Sequence, residues 1–365
     1  MTYIQNSNKT CNKTCSKTCK SKCMHPDAAF PVSGSAALST DPALKDRDSQ
    51  APQLLRGSLG EQGRPGIFRP LAAADRRWAA PILEAEDSLA SDGCFGTIFL
   101  WGSSYGQTIA RLEDRLIAQY KTEDSFFYAY PQGSGPLAPA IQWMKEQAHK
   151  LELPFVIQGM TEEQRDRLEA EFPRQFLYEE QPGSADYIYD AARLAGLGGK
   201  KLHNKRNHCN RFEQEYPDWR FEPLGQEHIP ACLALLNRWN ENHEDQEEGM
   251  PKAEERAILN ALEHYQLLEL EGGVLFVQDQ LAAFTIGEPV GKQGFDVRFE
   301  KADISFHGAY QMINREFARY LLQTHPDLRY LNREEDMGME NLRRAKESYY
   351  PDFLLKKYTA RWKHD

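Results

Sequence analysis

Regular hydrophobic patterning begins near Ile67 and Phe68. Before it, residues 1–65 are rich in Ser, Gly, Pro, Lys and Asp and offer no periodic apolar face, which predicts a disordered extension. Helical spacing follows over 72–88 and 93–103, the latter carrying Phe95, Ile98, Phe99, Leu100 and Trp101. Three alternating runs, 108–112, 115–120 and 125–130, read as strands, with Glu113 and Asp114 in a tight turn between the first two. A helix is expected over 137–150 and a strand over 154–158. Thr161 and Gln164 form a capping box that opens a helix to Phe172, and a strand covers 175–179. The polar stretch 181–184 closes this unit.

The second run opens at Asp186 with a short strand or turn, followed by a basic helix. A strand is expected over 219–223. The helix over 226–241 has Ile229, Cys232, Leu233, Leu236 and Trp239 inward, an acidic solvated loop covers 241–248, and a further helix spans 252–266. Strands at 273–278, 281–287 and 294–299 then precede a helix at 308–323. Strand 328–331, helix 338–348 and strand 353–360 end the chain. Both units therefore run strand, strand, strand, helix, strand, helix, strand. That order predicts an α+β protein of two tandem acetyltransferase-like domains, 66–182 and 183–365. Each is a mixed, mostly antiparallel sheet with flanking helices. In such a fold the parallel strand pair splays beside the crossover helix, whose N-terminus suits an anion.

The charge pattern adds a local feature. Lys200, Lys201, Lys205 and Arg206, with His203 and His208, crowd one short segment after Gly198-Gly199. The helix is expected to start just after the diglycine and run to about Tyr216, before Pro217. Leu202, Cys209, Phe212 and Tyr216 share one face. Lys205 falls within that stripe, and Arg206 lies at its edge. A cation on a buried face is costly without a partner, so this segment reads as the wall of an anion site. Alternatively, the stems lie along the core and lift their charges into water.

Composition narrows the class. With 365 residues, 41% hydrophobic and 27% charged, the chain suits a soluble two-domain protein. Apolar runs long enough for an integral membrane segment are absent and no secretory signal precedes the fold, so a cytoplasmic location is expected. A net charge of −10 argues against nucleic-acid binding by the surface at large, so a polyanion has to be met locally. Cys11, Cys15, Cys19 and Cys23 repeat every four residues but lack Cys-x₂-Cys pairing, so the repeat reads as low-complexity tail, and no metal site is expected. Neither a P-loop nor a Rossmann fingerprint is present.

Two further stretches could carry chemistry. Gly308 and Ala309 leave the start of the 308–323 helix uncluttered, so its N–H groups could meet phosphate. In 330–351, Asp336 falls near a helix start, where it either caps the helix or, like Glu335, orients an amine. Tyr349 or Tyr350, just past that helix, could protonate a leaving hydroxyl or thiolate, or both could pack the strand–helix junction.

Asp186-Tyr-Ile-Tyr, Gly199-Lys-Lys-Leu-His-Asn-Lys-Arg-Asn-His208 and Asn332-Arg-Glu-Glu-Asp336-Met-Gly resemble the C-terminal domain of phosphatidylglycerol lysyltransferase. Leu342-Arg-Arg-Ala-Lys346-Glu-Ser-Tyr-Tyr350-Pro351 through Tyr358 is similar to that domain's Leu-Arg-x-x-Lys-x-x-Phe-x-Pro…Tyr signature. The resemblance spans roughly 67–362 and implies tandem acetyltransferase-like domains that move an aminoacyl group from aminoacyl-tRNA. The expectation is thus an acyl- or aminoacyltransferase with no tightly bound cofactor. Its donor is aminoacyl-tRNA or an acyl-CoA thioester, and its acceptor is a small-molecule or lipid amine or hydroxyl. Lys200, Lys201, Lys205, Arg206 and Gly308 would hold the donor's phosphates, with Asp336 and Tyr349 catalytic. The alternatives are a non-catalytic phosphate- or RNA-binding module and an acyl-CoA-dependent N-acetyltransferase.

Overall fold

A computed structural model describes residues 67–123, 125–241 and 252–363. The tail with its cysteine repeat and nearly all of the acidic loop expected at 241–248 lie outside the described residues. The chain begins with α1 (Arg76–Glu86) and α2 (Phe95–Gly102), then a meander of β1 (Gln107–Leu112), β2 (Arg115–Lys121) and β3 (Phe126–Ala129). A two-residue strand β4 (Gln132–Gly133), α3 (Leu137–Lys150), β5 (Val156–Thr161), α4 (Glu162–Glu171) and β6 (Phe176–Glu180) follow. Thr161 caps α4 as its capping box predicts, accepting from the Gln164 N–H at 3.3 Å.

The second run starts with β7 (Asp186–Asp190), the short α5 (Ala191–Gly196) and α6 (His203–Glu215). Next come β8 (Trp219–Pro223), α7 (Ile229–Glu241) and α8 (Lys252–Glu263). The second meander is β9 (Glu271–Val277), β10 (Gln280–Val290) and β11 (Gly294–Ala302), crossed over by α9 (Ala309–Thr324) into β12 (Tyr330–Asn332). Then α10 (Glu340–Glu347), β13 (Phe353–Leu355) and β14 (Lys357–Trp362) complete the chain.

In each half the meander is antiparallel and the strand after the crossover helix is parallel to the third: β3 with β5, β11 with β12. This is the acetyltransferase-like arrangement expected from the element order. The ends of the halves depart from the sequence reading. The strand expected at 353–360 is two strands in two sheets. β13 pairs with β7, whereas β14 lies between β5 and β6 in the first sheet. In the second sheet β7 sits between β12 and β13. The first sheet thus takes one strand, β14, from across the expected 182/183 division, whereas the strands of the second sheet all follow that division.

The cause is visible in the packing. The core of the first half includes Phe155, Phe172 and Phe176, and β14 supplies Tyr358, Ala360 and Trp362 to that same cluster. Trp362 meets Phe176 edge-on at 5.0 Å between ring centroids, and the Lys145 amine lies 3.7 Å from its ring. Lys356 stays exposed while Lys357 turns inward. A separate apolar cluster spans both runs, with Leu83, Phe95 and Leu100 packed among Leu236, Leu262, Phe284 and Phe299.

Candidate active site

The polypeptide before α6 fixes where its cations go. Leu197 adopts a left-handed conformation at φ 46° that ends α5, and Gly199 follows at φ 79°. The helix therefore begins at His203, three residues later than expected, and Lys200 and Lys201 lie on the exposed turn ahead of it. Arg206 donates to the Leu197 carbonyl at 2.5 Å and the Gly199 carbonyl at 3.4 Å. Its guanidinium thus serves carbonyls that the turn leaves open, rather than standing free for a ligand. Leu202, Cys209 and Phe212 are buried as the helical spacing requires.

Lys205, one turn before Cys209, is carried down onto the same face and is half-buried. Its Nζ lies 4.1 Å from the centroid of the Tyr349 ring. Among the described residues it makes no ion pair. Burial holds its pKa below the usual lysine range, and the nearby Arg333 guanidinium adds to that shift, while Glu300 opposes it. Tyr349 is 5% exposed. The Arg333 guanidinium carbon sits 4.9 Å from the same ring. Burial drives the Tyr349 hydroxyl pKa well up, so the group is a neutral phenol at physiological pH.

Arg333 follows directly after β12, where β11 and β12 cease to pair beyond Asp296 and Asn332. Its Nη2 donates to Glu300 Oε1 at 3.2 Å, and Glu300 Oε2 accepts from Asn314 Nδ2 at 3.2 Å. Arg333 Nη1 and Asn314 Oδ1 are buried with no hydrogen-bond partner. The splay of β11 from β12 therefore holds two cations, a phenol and two unsatisfied polar atoms. Arg333, Glu300 and Asn314 were not singled out from the sequence. Asn314 offered a signal, being a polar residue between Ile313 and Phe317 on the buried face of α9.

The other expected site residues occupy different surroundings. Gly308 is the N-cap of α9 at φ 93°, and a Cβ there would meet the His208 carbonyl oxygen of α6 at 2.8 Å. The start of α9 is thus pressed against α6 on that side, not uncluttered as expected. It lies beside the turn of α6 that follows Lys205. Asp336 is buried, and Met339, not Asp336, is the N-cap of α10. The Asp336 carboxylate accepts from Tyr187 Oη at 2.7 Å, Arg343 Nε at 2.8 Å and the Gly338 N–H at 2.8 Å. Burial raises its pKa, but Arg343 and Tyr187 outweigh burial and hold it below the usual range. Its lone pairs are largely used, and no contact joins it to Tyr349 or Lys205. Lys346, in the same stretch, donates to the carbonyls of Arg333 and Glu334 and so fixes the segment bearing Arg333.

An ionic network lies on the other side of that segment. The Arg298 guanidinium reaches Glu288 and Asp296 at 2.8 Å each, Glu334 at 3.5 Å and Thr97 Oγ1 of α2 at 2.7 Å. Gly96 makes room for it, since a Cβ there would stand 2.2 Å from Glu288 Oε1. Lys357 of β14 pairs with Asp186 at 2.8 Å and Asp92 at 2.7 Å. Burial pushes Asp296 up to about 7, helped by Asp186 and Glu288 and opposed by Arg298. Burial also raises Glu335, and it makes no ion pair among the described residues.

Comparison with known proteins bears on the fold and the family. A conserved protein of unknown function from Bacteroides thetaiotaomicron is similar at 38% identity, with a TM-score of 0.76 over 81% of this chain and 99% of that one. The structure of L-PGS from Bacillus licheniformis has the same fold at 16% identity and a TM-score of 0.54, over 74% of this chain and 88% of that one. An uncharacterized protein of Mycoplasmoides gallisepticum is 25% identical over 182 residues, 49% of this chain. The match spans only about half of that curated relative, 56% of its length. No helix among the described residues is long and apolar enough to cross a membrane. Residues 85–361 match the family of the C-terminal domain of phosphatidylglycerol lysyltransferase, and with the transferase-type fold already in hand the chain belongs to that family.

Proposed function

We propose that the protein transfers an aminoacyl group from aminoacyl-tRNA to a hydroxyl or amine acceptor at the splay between β11 and β12. The observation that carries this reading is Lys205, a half-buried cation with no carboxylate partner among the described residues, lying against the Tyr349 ring beside Arg333. Such a pair of cations in a poorly solvated cleft favours a ligand that brings negative charge. Lys200 and Lys201, on the exposed turn ahead of α6, extend the cationic path outward to the donor's phosphates. Arg206 and Gly308 act as positioning residues, one closing the turn and the other letting α6 approach α9.

In the reaction the acceptor oxygen or nitrogen bonds to the ester carbonyl carbon and loses its proton. The bond from that carbon to the ribose oxygen breaks, and the ribose hydroxyl regains a proton. Tyr349 is a neutral phenol and fits the donor of that proton, with solvent restoring it. Lys205 and Arg333 would oppose the charge on the carbonyl oxygen as it forms. Asp336 acts indirectly by fixing Arg343 and Tyr187.

The family's name couples lysyl transfer to phosphatidylglycerol, which makes a lipid hydroxyl the first acceptor to try. Incubation with radiolabelled lysyl-tRNA and phosphatidylglycerol vesicles should yield labelled lipid. Tyr349→Phe preserves the packed ring and should slow turnover by about 10²-fold or more with little change in Tm. A protein that binds tRNA but moves no acyl group from aminoacyl-tRNA or acyl-CoA to any acceptor would instead be a binding module.

A further inference from the structure

The first half has a splay of its own. β3 and β5 run parallel and cease to pair beyond Ala129 and Gln158, as β11 and β12 do beyond Asp296 and Asn332. Gln132-Gly-Ser-Gly135 lies between β3 and the crossover helix α3, where a Gly-rich run can cradle a phosphate. A carboxylate of the protein itself is already there. Glu86, the last residue of α1, has a fully buried side chain between this loop and α4, the helix that follows β5.

Both carboxylate oxygens are bound. Oε2 accepts from the Gly133 N–H at 3.0 Å, while Oε1 accepts from Gln164 Nε2 at 3.2 Å and lies 3.1 Å from Arg167 Nη1. A backbone N–H, an amide and a guanidinium are donors that suit any small oxyanion. Gly133 is at φ 119°, and a Cβ there would stand 2.2 Å from the Asp114 carbonyl oxygen, so this N–H is presented by a position that requires glycine. The Tyr130 hydroxyl, just past β3, and Arg167 Nε are buried with no hydrogen-bond partner among the described residues. Arg167 is 40% exposed and also meets Glu163 at 3.2 Å, so the place borders solvent. The rest of the loop is turned away from an outside anion. Arg115, 5% exposed, takes the carbonyls of Pro131, Gly135 and Pro136. Pro136 and Pro139, at the N-cap and in the first turn of α3, have no N–H to offer.

We infer that the first half contains an oxyanion seat filled by Glu86, and that this carboxylate bars a donor from the first half, leaving one transfer centre per chain. The second half shows the opposite state. There Lys205 has no carboxylate partner among the described residues, whereas in the first half Glu86 neutralises the cation at the splay. With Glu86 shortened, the seat takes a small carboxylate or a phosphate, anions that can accept the same three donors. The seat stands on its own geometry, and only its consequence for donor stoichiometry rests on the proposed function.

Thermal melts of the full chain test the seat, with acetate as the probe and chloride at equal ionic strength as the control. Glu86→Ala empties the seat, so acetate should raise the Tm of that variant saturably, with half the effect reached below about 50 mM. Parent and Glu86→Gln keep the space filled and should respond to acetate at least about tenfold more weakly. Folding of the alanine variant in acetate but not in chloride would support the seat equally. Equal responses in all three proteins, or an alanine variant that ignores acetate whether or not it folds, would overturn the inference. A second measurement needs no variant. Titration with an amide-linked, non-hydrolysable aminoacyl-tRNA should saturate at one equivalent per chain, and saturation at two would overturn the single centre. Absence of any tRNA binding would count against the proposed function, while the acetate melts still decide the seat.

Discussion

Lys205 is costly to fold. Its amine is half-buried, Arg333 is nearby, and the ring of Tyr349 offsets only part of the lost hydration. Lys205→Met keeps the stem and removes the charge, and should raise stability by about 0.5–1 kcal/mol near pH 7. The sign with pH follows from the lowered pKa. Between the folded and unfolded values the unfolded chain binds more protons, so stability contributed by this group rises with pH toward about 10.4. Denaturant melts of parent and variant should therefore converge at alkaline pH. A destabilised variant with a constant gap would show that Lys205 is held by a structural partner. Lys205 was legible in the sequence because a cation within an apolar stripe is conspicuous, and Tyr349 because it follows a helix in a polar stretch that could carry chemistry. Arg333, Glu300 and Asn314 were not, because they come from three elements that only the tertiary fold brings together.

At the level of elements, local signals worked where one element decides its own ends. The capping box of α4 and the turn at Glu113, with φ 51°, were both readable. The start of α6 was misread because its cations look helical, whereas Leu197 and Gly199 in left-handed conformations delay the helix to His203. The last strand was misread for a different reason. Residues 353–360 read as one strand, and nothing local says that the chain changes sheets at Lys356. Deleting 357–363 would remove the ladders to both β5 and β6, and would uncover Phe155, Phe172 and Phe176. The shortened chain should lose its near-ultraviolet circular dichroism and cooperative melt, since a deletion of this size exceeds the cost of any one core truncation, about 3–5 kcal/mol. A cooperative melt within a few degrees of the parent would mean that β14 contributes little to the first sheet.

Across the whole molecule, the placement of β14 in the first sheet ties the halves together, and the network around Arg298 lies where they meet. Asp296 there is raised to about 7, so its protonated form favours the folded state. The stability it confers is fully present below the ordinary aspartate pKa of about 4 and is lost as pH rises through about 7. Asp296→Asn should flatten the pH dependence of the unfolding free energy between those values. An unchanged slope would place the proton on another carboxylate of the cluster.

The central claim is that the cations from Lys200 to Lys205 receive a tRNA donor, Lys200 and Lys201 at its phosphates and Lys205 at its ester carbonyl. The most direct measurement is the salt dependence of tRNA and CoA binding to the parent and to a variant with Lys200, Lys201 and Lys205 replaced by Gln. The account predicts that the parent binds tRNA, and that affinity falls steeply with salt. The variant should bind more weakly, its log–log slope reduced by about 0.7–0.9 for each phosphate that it no longer neutralises. Replacing Lys252 and Arg256, exposed residues on α8, should leave both quantities unchanged. Equal tRNA affinity and equal slope in parent and triple variant would contradict the account.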